Sequence, residues 1–256
     1  MLPILQIGPL AIQTPGLILL LGLWLALNLS ERAAARLGIN PNLIYNLTFT
    51  ALIGGLLGAR LGYVLRYPEA FVASPASLLS PNPGLLDAWA GFASAALVAL
   101  IYGQRKGMRL QPTLDVLTPG LALLSAALGF AHLASGAAFG APTNLPWGIA
   151  LWGAVRHPSQ IYAILAATLI LVVLWPGGKL FRRLNAIAPG LIFWTFSALS
   201  ALSRLFLEAW RGDSVLVLGG LRQAQLVAWL VLALSLWAIG RLFQQSRGTI
   251  LNTEGK

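Results

Sequence analysis

Cysteine is missing from the 256 residues of this chain. That excludes a disulfide, a thiolate metal site and a cysteine nucleophile of its own. Histidine is nearly missing too. His132 and His157 are the only two, too few for a structural zinc site, and no cofactor is expected. Charge is sparse: 9% of residues are charged and only 7 are acidic, against about 25% charged in a soluble domain. No Lys or Arg precedes Arg32. The first apolar run therefore lacks the positive flank of a cleaved signal peptide and is expected to stay as a span.

What fills the chain is apolar. Hydrophobic residues make up 57% and the mean hydropathy is +0.78. A helical crossing of a bilayer needs about 20 mostly apolar residues. Seven such runs are read, near 15–35, 43–65, 85–102, 114–139, 161–175, 186–206 and 225–242. The fifth is short and is expected to begin in the polar segment before it. The fold class expected is all-α: a polytopic membrane protein of seven transmembrane helices. No linker is long enough to separate two soluble domains, so residues 1–256 read as a single integral membrane domain.

The seventeen basic residues divide unequally between the two sides. Arg32, Arg36, Arg105, Lys106, Arg109, Lys179, Arg182, Arg183, Arg241, Arg247 and Lys256 fall on one side. Arg60, Arg66, Arg156, Arg204, Arg211 and Arg222 fall on the other. The richer side is expected in the cytoplasm, with the N-terminus outside and the C-terminus inside. A net charge of +10 spread over membrane loops fits anionic headgroups and gives no basic face for nucleic acid.

The poorer side draws attention because the charge rule disfavours arginine there. Arg60, Arg66, Arg156, Arg204 and Arg211, with Trp89, Trp147, Trp152 and Trp210 near the same level, read in two ways. They are snorkelling side chains and an aromatic belt, or a cluster that holds an anionic group. In the second run Gly54, Gly58 and Gly62 recur every four residues and form a stripe where another helix can approach. Arg60 and Tyr63 stand off that stripe. An arginine in an apolar helix must find water, a phosphate or a carboxylate.

In the sixth run Arg204, Glu208 and Arg211 are spaced to share a helix face. Either they form a salt bridge, or Glu208 positions one arginine while the other meets a phosphate. Between the fourth and fifth runs lie PTNLPWG, from Pro142 to Gly148, and RHPSQIY, from Arg156 to Tyr162. Pro158 suits a first helical residue, and a helix N-terminus beside Arg156 favours an anion. His157 is a base or a polar cap. His132 sits within the fourth run, as a base or as a neutral, hydrogen-bonded core histidine.

On these residues the chain resembles the prolipoprotein diacylglyceryl transferase family of bacterial seven-span enzymes. IGPLAI (Ile7 to Ile12) is similar to the family's opening, and GLLGARLGYVL (Gly55 to Leu65) is a close match. PTNLPWG and RHPSQIY, with Pro158, Gln160 and Tyr162, follow in the family's order. RLFLEAWR (Arg204 to Arg211) resembles its outer Arg–Glu element. The resemblance implies transfer of a diacylglyceryl group from phosphatidylglycerol to a prolipoprotein cysteine, in the bacterial cytoplasmic membrane, with glycerol phosphate leaving. The nucleophile then belongs to the substrate. Arg60, Arg156, Arg204, Glu208 and Arg211 are the expected phosphate-binding set, and His132 and His157 the candidate catalytic residues.

The departures fall on polar positions. Ala96 stands where the family has a histidine, Gly129 where it has an arginine, and His132 where it has an asparagine. Pro15 precedes Gly16 where the family has a tyrosine. Two readings follow. One is a transferase with a rearranged site in which His132 or His157 substitutes for the missing histidine. The other is a catalytically inactive homologue, a lipid-binding accessory subunit of a membrane complex.

Overall fold

Runs of apolar residues close their backbone hydrogen bonds locally as helix, the arrangement a bilayer tolerates. The computed structural model describes residues 4–7, 10–80, 82–217 and 219–254. Gly8 and Pro9 of the opening motif, and Lys256, lie outside the described residues. Five helices are long and apolar enough to cross a membrane: α1 (Thr14–Arg36), α2 (Pro41–Arg66), α5 (Leu110–Ser135), α8 (Leu191–Glu208) and α9 (Gln223–Glu254). Two further runs form shorter or less apolar helices, α4 (Ala88–Arg105) and α6 (Ser159–Val173). Two short helices, α3 (Pro68–Ala73) and α7 (Lys179–Ile187), complete the set among the described residues. Leu20, Leu61, Leu165 and Trp229 remain exposed on their helices. A surface this apolar is suited to lipid, and the chain is a mostly helical membrane protein.

The chain also contains short strands that composition did not announce. β1 (Ile4–Ile7) pairs with β2 (Leu10–Gln13), β3 (Ile149–Leu151) with β4 (Ala154–Arg156), and β5 (Leu216–Val217) with β6 (Leu221–Arg222), all antiparallel. They lie outside the long helices, where loop backbone needs partners of its own.

Two compact units divide the chain: residues 38–113, and residues 1–37 with 114–256. In the first, α2 starts where Asn40 accepts from the Asn42 amide at 3.0 Å, just before Pro41, a proline that suits the first helical position. The Gly54–Gly58–Gly62 stripe, whose spacing predicts a close helix neighbour, packs on α4. A methyl group added at Gly58 would meet Ser94 and lie 3.3 Å from the Ala90 carbonyl. Asp87 caps α4 by accepting from the Ala90 amide at 2.9 Å and pairs with Arg66 at 2.8 Å.

In the second unit, α8 begins at Gly190, whose φ of 93° places it in the left-handed region glycine favours. No local side chain caps that end. Asp115 of α5, fully buried, accepts from the Gly190 amide at 2.5 Å and the Phe193 amide at 2.8 Å. The run read as 186–206 is therefore two elements: α7 ends at Ile187, and α8 starts after Gly190. The run read as 114–139 ends as helix at Ser135.

Candidate functional site

Past Ser135 the chain leaves the helix and joins a small backbone platform. The Ala141 amide donates to the Trp210 carbonyl at 2.8 Å, and the Gly212 amide to Phe139 at 2.9 Å. On the other edge the His157 amide donates to Ala141 at 3.0 Å and the Thr143 amide to Val155 at 2.9 Å. Residues 139–143 thus lie between 155–157 and 210–212, tying together the end of α5, the start of α6 and the end of α8. Gly140 allows this. A Cβ there would lie 2.7 Å from that of His157, closer than side chains approach.

Beside the platform is a cavity of about 250 Å³ between α5, α6 and α8. Its apolar length is walled by small residues such as Ala122, Ala163, Ala167 and Ser200, and its polar lining is His132, Ser159, Gln160, Arg204 and Arg211. Small side chains on three neighbouring helices leave the space; larger ones would fill it. Neither ring nitrogen of His132 has a hydrogen-bond partner among the described residues.

Glu208 holds Arg204. Its Oε2 lies 3.0 Å from Arg204 Nη2 and 3.9 Å from Arg211 Nε, while Oε1 accepts from Ser214 Oγ at 2.7 Å. The expectation that Arg211 shares a helical face is corrected: α8 ends at Glu208, and Arg211 lies in the turn beyond it. There its fork binds Asp213, with Nε at 2.9 Å and Nη2 at 2.8 Å. Arg204 is thus the more available cation. Its side chain is 43% exposed, against 16% for Arg211, and among the described residues only Glu208 engages it.

The remaining expected site residues lie elsewhere. Arg60 belongs to the other unit and binds loop carbonyls: Leu78 through Nε at 3.0 Å, Leu85 through Nη1 at 3.0 Å, and Ser77 and Ser80 through Nη2 at 2.6 and 2.8 Å. It clamps residues 77–85, with four of its five donors occupied by backbone. Arg156 is likewise taken up locally. It donates to Leu151 and Gly140 at 3.0 and 3.3 Å and stacks 4.9 Å from the Phe139 ring. Tyr63 packs with Tyr67 and Phe71. Pro158 is the N-cap of α6 rather than its first residue, because Ser159 opens the helix.

His157 lines a second cavity, of about 410 Å³, with Trp147, Tyr162, Trp210, Leu145 and Leu207. Its Nδ1 is 3.5 Å from the Tyr162 hydroxyl, which accepts from Trp147 Nε1 at 2.8 Å. His132 lines the first cavity and His157 the second, with Leu207 lining both. Sequence reasoning missed Arg222, Ser214 and Asp213. Arg222 Nη1 donates to the carbonyls of Glu208 and Arg211 and to Ser214 Oγ, closing the end of α8. Its only sequence signal was a basic residue on the disfavoured side.

Residues 3–241 match the family model described as prolipoprotein diacylglyceryl transferase. Among similar proteins, the phosphatidylglycerol–prolipoprotein diacylglyceryl transferase of Gloeobacter violaceus is 30% identical, over 93% of this chain and 92% of its own. The protein of that name from Nostoc sp. is 29% identical over 94% and 89%. That from Clostridioides difficile is 30% identical over 83% and 84%.

Proposed function

The chain belongs to the prolipoprotein diacylglyceryl transferase family, and from that premise we propose that it transfers the diacylglyceryl group of phosphatidylglycerol to a prolipoprotein cysteine. The observation that carries the proposal is the cavity that joins His132 to Arg204 and Arg211 at one end of a passage lined by small residues. The lipid phosphodiester lies against Arg204, and its chains run along the apolar length. The substrate thiol gives its proton to His132. The thiolate attacks the terminal glyceryl carbon, the carbon–oxygen bond to phosphate breaks, and glycerol phosphate leaves with the bonding electrons. Charge on the departing phosphate grows from one to two, and a fixed guanidinium stabilises that change. Arg211, neutralised in part by Asp213, borders the phosphate at longer range.

This account assigns the base to His132 because Ala96 and Gly129 supply neither base nor cation. The relatives described above carry the transferase name, which favours an enzyme over an accessory subunit. Seven spans, an outer N-terminus, a cytoplasmic C-terminus, a single membrane domain and a bacterial cytoplasmic membrane complete the proposal. The charge distribution of the loops supports the orientation.

The test is glycerol phosphate release by purified protein in phosphatidylglycerol vesicles with a lipobox peptide. Turnover is expected, and His132→Ala should reduce kcat by about 10²-fold or more with lipid binding kept. Absence of turnover in the wild-type protein would leave the accessory-subunit reading. Turnover surviving both His132→Ala and His157→Ala would remove the base assignment while leaving the transferase.

A further inference from the structure

Gln160 is 1% exposed in the first turn of α6. Its Nε2 donates to the Ala137 carbonyl at 2.9 Å. A carbonyl oxygen can only accept, so this bond fixes which way the amide is turned. The other end, Oε1, is buried with no hydrogen-bond partner among the described residues. An unpaired buried acceptor forfeits its hydration with nothing in return, and native structures seldom leave one without a ligand or ordered water to satisfy it. The nearest hydroxyl in sequence does not serve, because Ser159 Oγ donates to Ala138 at 2.7 Å. The Ser159 hydroxyl and one Nε2 hydrogen of Gln160 are thus given to the segment that leaves α5, and an acceptor is left over. Gln160 lines the same cavity as Arg204, Arg211 and His132.

A cationic group and a spare acceptor on one small cavity describe a ligand that carries both an anion and a hydrogen-bond donor. We propose that Gln160 Oε1 accepts a hydrogen bond from a hydroxyl of the lipid headgroup and so selects a phospholipid with a polyol headgroup. The proposal rests on the cavity being the headgroup site. A choline headgroup offers no donor. An ethanolamine headgroup offers one only on a charged ammonium, whose desolvation beside a neutral amide is costly. A glycerol headgroup offers neutral hydroxyls. Discrimination of this kind is strong where a site is built to bond a hydroxyl, because the analogue without it leaves the buried partner unpaired.

The experiment compares phosphatidylglycerol with phosphatidylpropanol, which keeps the phosphodiester and lacks both hydroxyls. Diacylglyceryl transfer to a lipobox peptide gives the same lipidated product from either, read by mass spectrometry. The wild-type protein should prefer phosphatidylglycerol by at least about tenfold in kcat/KM. Gln160→Met, similar in volume but without the acceptor, should bring that ratio close to one. Gln160→Glu keeps an acceptor while losing the bond to Ala137, so it should retain the preference and serves as the control for a structural role. Retention of each lipid by native mass spectrometry gives the same ratio without turnover, so a failure of catalysis is read separately from a failure of selection. A wild-type ratio near one, or a ratio untouched by Gln160→Met, would mean that Oε1 meets water alone and would overturn the proposal.

Discussion

Glu208 is almost wholly buried, and only one of its oxygens has a hydrogen bond among the described residues. Oε1 takes the Ser214 hydroxyl and Oε2 faces Arg204. A carboxylate in this position needs its cation, and the cation is held by it. Because the Arg204 side chain is 43% exposed, solvent screens the pair and its contribution to stability is small. Its value lies in aiming a guanidinium at the cavity. Glu208→Gln keeps the shape and the Ser214 bond but removes the charge that fixes Arg204. The expected result is a fall in kcat/KM for phosphatidylglycerol of about tenfold or more, with little change in the unfolding temperature. Unchanged kinetics would show that Arg204 orients itself. Gln160 belongs to this scale too, as a residue whose unpaired atom says more than its contacts.

Elements are joined here by polar residues reaching between them. Asp115 supplies to α8 the cap that α8 lacks in its own sequence. Removing it strands the amides of Gly190 and Phe193 inside the protein. Asp115→Ala should therefore cost about 1–3 kcal/mol, measured as a lower unfolding temperature in detergent; no shift would mean that water replaces the carboxylate. Where α8 ends, Arg222 plays a matching part by donating to the carbonyls of Glu208 and Arg211. One end of α8 is thus tied by a residue 75 positions upstream, the other by a residue just past a short downstream loop. That keeps Arg204 and the small-residue wall in register. The platform of residues 139–143 acts in the same way on α5 and α6, bringing His132 and Gln160 to one cavity and sending His157 to the other.

For the whole molecule the governing fact is the solvent. With 9% charge and 57% hydrophobic residues, the chain cannot bury its apolar surface in a core of this size, and leucines and tryptophans face outward on most long helices. The proposed side preference rests on basic residues, eleven on one side and six on the other of the seven-span reading. A reporter fused after Lys256 should behave as cytoplasmic, and one inserted at Asn82 as external. Both reporting the opposite compartment would reverse the proposed orientation, and both on one side would deny the odd number of spans proposed between Asn82 and Lys256.

Composition and apolar run length determined by themselves that this is a helical membrane protein, because helix hydrogen bonds are local and bilayer crossing demands length. Spacing alone also marked a face of α2 for close helix approach, since glycines four apart align on one face whatever surrounds them; that α4 is the partner only the structure decided. The matched motifs in order determined the family. Spacing alone could not show what any arginine touches. Arg60 and Arg204 look alike in sequence, each an arginine in an apolar helix; one is consumed by carbonyls 17 to 25 residues away, the other pairs with Glu208 and stays 43% exposed. The position of Pro158, the break before α8 and the separation of His132 from His157 depend equally on contacts between distant segments. Tertiary structure decided which polar groups are satisfied and which remain unpaired, because a hydrogen bond is counted by distance in space, and the chain specifies that distance only once it has packed.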